Sequence, residues 1–174
     1  MHTTGIWSGV GGFRNQFMSF TEQGHGYGLV QHGLVEHFLL QLFSEMAHDC
    51  TRGSWTCFES RGIPDWTPAG GYTEASQSIV PLHVKWMLVF ESPPAITGTR
   101  SLELCKAIPR AWLAPGNRIG VRHAPTLGHG RVSISIVSDL DASTPRVSAS
   151  VSRNASATVS ANKKGGGNVT LTLR

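Results

Sequence analysis

The sequence predicts a two-part α+β chain, with helices in its first half and antiparallel strands in its second. Apolar residues recur every fourth position in the series Val30, Leu34, Phe38, Leu42 and Met46, whereas Val132, Ile134 and Ile136 alternate with serine, and Pro115-Gly116-Asn117 lies between as a turn. A change of hydrophobic period from about 3.6 to 2 is a change from helix to half-buried strand. Helices grouped before strands fit an α-layer joined to a separate sheet, not an alternating α/β fold. The boundary is expected near residues 93–100, giving residues 1–98 as the helical part and 99–174 as an antiparallel β-domain.

Taken in order, residues 27–48 read as one helix, with Val35, Leu39, Phe43 and Ala47 widening its apolar face and His37, Gln41, Ser44, Glu45 and His48 opposite. The glycine-rich Gly24-His25-Gly26-Tyr27-Gly28 before it reads as a loop leading into that helix, since no strand precedes it to make a dinucleotide fingerprint. A second helix is predicted over residues 73–90, with Ile79, Leu82, Trp86, Val89 and Phe90 inward, a break at Pro81, and Pro93-Pro94 as its stop. Residues 101–107 read as a short helical turn. Strands follow at 118–123 and 131–138, with weaker alternation in Val147, Ala149 and Val151 and again in Val169, Leu171 and Leu173. Two long helices and a few strands leave apolar faces uncovered, so the chain is expected to be a piece of a longer protein. Its Val30, Leu34, Phe38 and Leu42 stripe is expected to self-associate.

Composition narrows the function. Hydrophobic residues make up 40% and charged residues 15% of the chain, too apolar for disorder. The net charge of +4 comes from basic residues scattered singly, without the clustered stripe that nucleic-acid binding uses. No apolar run reaches the ~20 residues of a membrane span, and no signal peptide stands at Met1. The compartment is therefore left open, a secreted or periplasmic parent protein fitting as well as any. Cys50, Cys57 and Cys105 match neither a zinc ribbon nor a thioredoxin motif and read as buried free thiols. His32 and His37 do not share a helix face, so no metal site is expected, and no cofactor.

Four segments carry a resemblance: FTEQGHGYG at 20–28, TRGSWTCFESR at 51–61, IPRAWL at 108–113 and IGVRHAPT at 119–126. Together they resemble the end of a six-hairpin (α/α)6-toroid glycosidase with its C-terminal β-domain, most closely over residues 101–138. The resemblance implies the last helices of a twelve-helix toroid followed by part of an antiparallel β-sandwich, with interhelical loops lining a sugar cleft. The partner it implies is a carbohydrate substrate.

Glycoside cleavage uses two carboxyls, one protonating the leaving oxygen and one acting as base or nucleophile. Glu22, beside the Gly/His/Tyr segment, and Glu59, among Trp55, Phe58 and Arg61, are the candidates. A helix-capping role would also explain Glu22, and an ion pair with Arg61 or Arg52 would also explain Glu59. Glu36, Asp65 and Glu74 are weaker candidates. Sugar rings need aromatic platforms beside charged hydrogen-bonding groups, and Trp55, Trp66 and Tyr72 with Arg61 supply both, unless the aromatics only cap a core. His25 and Tyr27 offer a second reading, base and acid of a polysaccharide lyase with Arg61 neutralising a uronate. A third is a non-catalytic carbohydrate-binding or structural module. Asn154-Ala155-Ser156 and Asn168-Val169-Thr170 fit the glycosylation acceptor pattern, which matters only in a secretory pathway.

Overall fold

The computed structural model describes residues 16–17, 22–54, 56–62, 68–93, 101–139, 146–153, 157–158 and 169–171. Over these the fold is mixed α+β, with three helices and three small sheets. The chain divides into two compact units, Met1–Trp86 and Met87–Arg174.

The first unit holds β1 (Gln16–Phe17), α1 (Glu22–Gln31), α2 (Val35–His48), β2 (Phe58–Gly62), β3 (Pro68–Tyr72) and most of α3 (Glu74–Leu88). The single helix predicted over 27–48 is instead two. Gly33 takes a positive φ of 71°, its N–H donates to the Val30 carbonyl (3.1 Å), and the Leu34 N–H reaches back to the Leu29 carbonyl (2.9 Å). That pair of bonds is a Schellman cap, which glycine's freedom at positive φ permits and which ends α1. The glycine-rich segment expected as a loop is the body of α1. A Cβ on Gly26 would lie 2.5 Å from the His83 Nε2 atom, so the missing side chain admits α3's imidazole against the helix.

The apolar stripe is covered within the chain at three of its four positions: Val30, Phe38 and Leu42 are buried, while Leu34 at the break is 47% exposed. In α2 the buried face is Phe38, Gln41, Leu42 and Glu45. Gln41 and Glu45, assigned from sequence to the solvent side, thus point into the core, and Leu40 and Phe43 take the exposed face. Helical spacing of i, i+3, i+4, i+7 is obeyed, but with polar residues on the inner rows.

Helix α3 is capped by Thr73, whose hydroxyl accepts from the Ser76 N–H (3.4 Å), and runs through Pro81 to Leu88. Val89 and Phe90, expected in this helix, belong to a strand. Strands β2 and β3 lie in the stretch read as an interhelical loop, and β1 completes a three-stranded antiparallel sheet in the order β1-β2-β3.

In the second unit β4 (Val89–Ser92) pairs antiparallel with β5 (Ser101–Leu104), which pairs parallel with β10 (Val169–Leu171). The helical turn expected at 101–107 is instead β5 over its first four residues. Its Ser-Leu-Glu-Leu alternation buries Leu102 and Leu104, and period 2 over four residues is a strand signal that outweighs helix propensity. A 3-10 turn at Arg110–Leu113 leads to Pro115-Gly116, where Gly116 has φ 77° and Asn117 N–H bonds the Ala114 carbonyl (3.0 Å).

The predicted strands at 118–123 and 131–138 are β6 (Arg118–Pro125) and β7 (Arg131–Asp139). They continue into β8 (Arg146–Arg153) and β9 (Ala157–Thr158) as a four-stranded antiparallel sheet. Val132, Ile134 and Ile136 face inward as expected. Glu91, buried on β4, accepts the Leu127 and Gly128 N–H groups at 2.6 Å each and so holds the β6–β7 loop. Among the described residues no helix is long and apolar enough to cross a membrane.

Candidate functional site

The sequence-predicted residues that the structure brings together lie on the β2–β3 hairpin of the first unit. Phe58 opposes Tyr72 across the antiparallel pair, and their rings stack with centroids 4.3 Å apart and planes 25° from parallel. Tyr72 is 56% exposed and presents its ring to solvent. The Arg61 guanidinium lies 4.4 Å from the Phe58 centroid, a cation–π contact that braces the stack.

Between Phe58 and Ser60 the register shifts. Phe58 pairs with Tyr72 and Ser60 with Ala69, so Glu59 faces a bulge made by Gly70 and Gly71. Both glycines have positive φ, 72° and 71°. A Cβ on Gly70 would fall on the Glu59 carboxylate and within 2.7 Å of its Cβ, so the glycine makes room for that side chain. Bulges of this kind re-aim a side chain. Glu59 is half-buried. It lies on a strand, not in the loop expected.

Arg61 is anchored from below. Its Nε lies 3.9 Å from the Asp49 Oδ1 atom and donates to the Asp49 backbone carbonyl at 3.4 Å. Asp49 is the C-cap residue of α2 and is fully buried. The Phe58 N–H donates to the same carbonyl at 3.4 Å, and Cys50 and Cys57 form a disulfide one residue beyond. Helix end and strand start are thereby stapled together. The reading of all three cysteines as free thiols is corrected: only Cys105 is free among the described residues. A pair seven apart in sequence met across an isolated antiparallel bridge, a geometry that spacing alone did not reveal. Burial pushes the Cys105 thiol up to about 12 from an ordinary 9.0.

His25 and Tyr27 sit elsewhere, on α1. Residues two apart on a helix do not face one another. His25 is exposed, while the Tyr27 ring packs edge-on against Trp86 with centroids 5.2 Å apart. Glu22 is the first residue of α1, but its side chain, like Trp55, Asp65 and Trp66, lies outside the described residues. The convergence expected of Glu22 and Glu59 therefore has no measured separation.

Sequence reasoning missed Phe58 as a ring of the platform, Asp49 as the anchor of Arg61, and a buried pair behind them. His83 Nδ1 lies 3.5 Å from Glu45 Oε2, both side chains are fully buried, and the Phe38 and Trp86 rings flank the imidazole at 5.5 Å each. Glycines at 70–71 opposite a short alternating run at 57–61 were the available signal for the hairpin. Among the described residues no group of three His, Cys, Asp or Glu is placed to hold a metal ion. The second unit has its own open depression of ≈480 Å³ lined by Leu88, Trp112, Asn117, Arg118, Ile119 and Gly120, none of them a sequence-predicted site residue.

Comparison of the chain with protein-family models, with curated proteins and with solved structures gave no match.

Proposed function

We propose that this chain is part of a glycoside hydrolase, its first unit the closing helices of an (α/α)6 toroid and its β6–β9 sheet half of an antiparallel sandwich. The observation that carries the carbohydrate reading is the exposed Tyr72 ring, stacked on Phe58, on the same hairpin whose glycine bulge seats Glu59. A sugar ring offers an apolar face of C–H groups and a rim of hydroxyls. The first stacks on an aromatic plane and the second needs a charged acceptor and donor at its edge. Tyr72 supplies the plane and Glu59 a carboxyl on the same hairpin, while Arg61 braces the stacked rings. In this reading Glu59 is one working carboxyl and Glu22 its partner. The disulfide supports an oxidising compartment, secreted or periplasmic.

The test is release of reducing ends from a polysaccharide panel, with binding to the same polymers measured by affinity electrophoresis. Tyr72→Ala is expected to weaken binding about tenfold, the scale of one lost ring contact. Glu59→Gln is expected to keep binding and lose hydrolysis. Binding by the wild type without any hydrolysis would leave Glu59 a binding residue and favour the non-catalytic module. Indifference of binding to Tyr72→Ala would remove the platform altogether.

A further inference from the structure

Resting on the carbohydrate reading above, we infer that the Tyr72 platform takes neutral sugar rings, not uronates, and that Asp49 is the positioning residue that sets this choice. Arg61 is the cation that braces the stacked rings, and a site for an acidic sugar would have to turn that cation toward the ligand's carboxylate. Its Nε–H is already committed to Asp49, and its guanidinium rests on the Phe58 ring. The Asp49 carboxylate sits 3.9 Å from Nε, and the Asp49 backbone carbonyl accepts from Nε at 3.4 Å.

The two competitors for Arg61 are unequal. Asp49 is fully out of solvent, and the Arg61 side chain is only 17% exposed. A uronate resting on Tyr72 would meet Arg61 from the solvent side, where ion pairs are screened and weak. Swinging Arg61 outward would also strand a buried carboxylate without that partner, which is costly, and would lift the guanidinium from the Phe58 ring. Asp49 itself cannot follow. It caps α2, its carbonyl is tied to the Phe58 N–H, and the adjoining Cys50–Cys57 bond fixes the distance between helix end and strand. What the hairpin offers a ligand is therefore an exposed phenol ring with the local positive charge answered from beneath, a surface suited to the apolar face of an uncharged sugar.

Affinity electrophoresis of the full chain against hydroxyethylcellulose and xylan as neutral polymers, and polygalacturonate as the acidic one, tests this. The wild type is expected to bind at least one neutral polymer about tenfold more tightly than polygalacturonate. That binding should be indifferent to NaCl between about 0.05 and about 0.5 M. Asp49→Asn, which keeps the side chain's shape and removes its charge, is expected to raise polygalacturonate binding about fivefold or more and make it salt-sensitive, while neutral binding stays within about twofold. Should Asn at 49 prevent folding, Arg61→Gln serves instead: neutral binding retained supports the inference, and neutral binding lost overturns it. Wild-type preference for polygalacturonate, abolished by Arg61→Gln, would overturn the inference while leaving the platform standing. Failure to bind any of the three polymers, or insensitivity to Tyr72→Ala, would overturn the platform itself and this inference with it.

Discussion

Replacing Cys50 and Cys57 together by serine tests the staple that places the hairpin. The bond joins residues seven apart, a closed loop of about eight residues. The chain-entropy relation assigns that loop about −8 cal/mol/K, or about 2.5 kcal/mol at 25 °C. For a unit of this size each 1 kcal/mol moves the midpoint by roughly 4 to 8 °C, so the variant should melt about 10 to 20 °C lower. Denaturant unfolding followed by circular dichroism would measure the free-energy loss, and a thermal scan on the same signal the shift in midpoint. Thiol counting supplies an independent check. The chain has three cysteines, so unfolding without reductant should expose one reactive thiol, Cys105, and unfolding with reductant all three. Three thiols without reductant, or a variant as stable as the wild type, would refute the staple and with it the fixed distance between Asp49 and Phe58.

Three further outcomes follow from the same geometry. Gly70→Ala forces a Cβ into a residue at φ 72° and onto the Glu59 side chain; a loss of about 1–3 kcal/mol in denaturant unfolding is expected, and an unchanged midpoint would deny the bulge. Removing His83 from its fully buried pairing with Glu45 should cost about 3–5 kcal/mol. A His83→Phe, Glu45→Leu double variant should recover part of that loss, and strict additivity in the cycle would show that the two do not interact. Because burial raises the Cys105 thiol from 9.0 to about 12, the folded chain holds a proton there that the unfolded chain releases. Its contribution is therefore whole below pH about 9 and falls away as pH rises to about 12. Cys105→Ala should flatten that alkaline limb of the stability profile, and an identical limb in both proteins would deny it.

The second half of the chain was the more legible. Period-2 alternation in β6 and β7 and the Pro-Gly-Asn turn are local signals, and register follows from which face is apolar. The first half was less so because tertiary contacts override local pattern there. Gly33 ends a helix that apolar spacing alone would continue, and Gly24, Gly26 and Gly28, poor helix formers individually, stay helical where α3 packs closely against Gly26. The hairpin was hidden for another reason. Glycines at 70 and 71 break β-alternation in β3, yet they are what make the bulge and seat Glu59. Of the predicted site, Glu59, Arg61 and Tyr72 emerged on one hairpin because they lie on two paired strands. Asp49 could not be read, since its role depends on a helix end meeting a strand start.

The buried polar residues of the first unit explain why such a site can be rigid. Gln41, Glu45 and Asp49 lie four apart along one face of α2 and its cap, and all are buried. Apolar residues at these positions would satisfy the same helical period and tolerate small rotations of the helix, because apolar contacts are non-directional. Carboxylates do not tolerate them. Glu45 must meet His83 on α3, and Asp49 must meet Arg61 on β2, each within a few ångströms and in a medium where a misplaced polar group is expensive. Two directional polar contacts one turn apart along α2 and its cap fix that helix's rotation and its axial position together, so the hairpin that carries Tyr72 and Glu59 inherits its placement from the core beneath it.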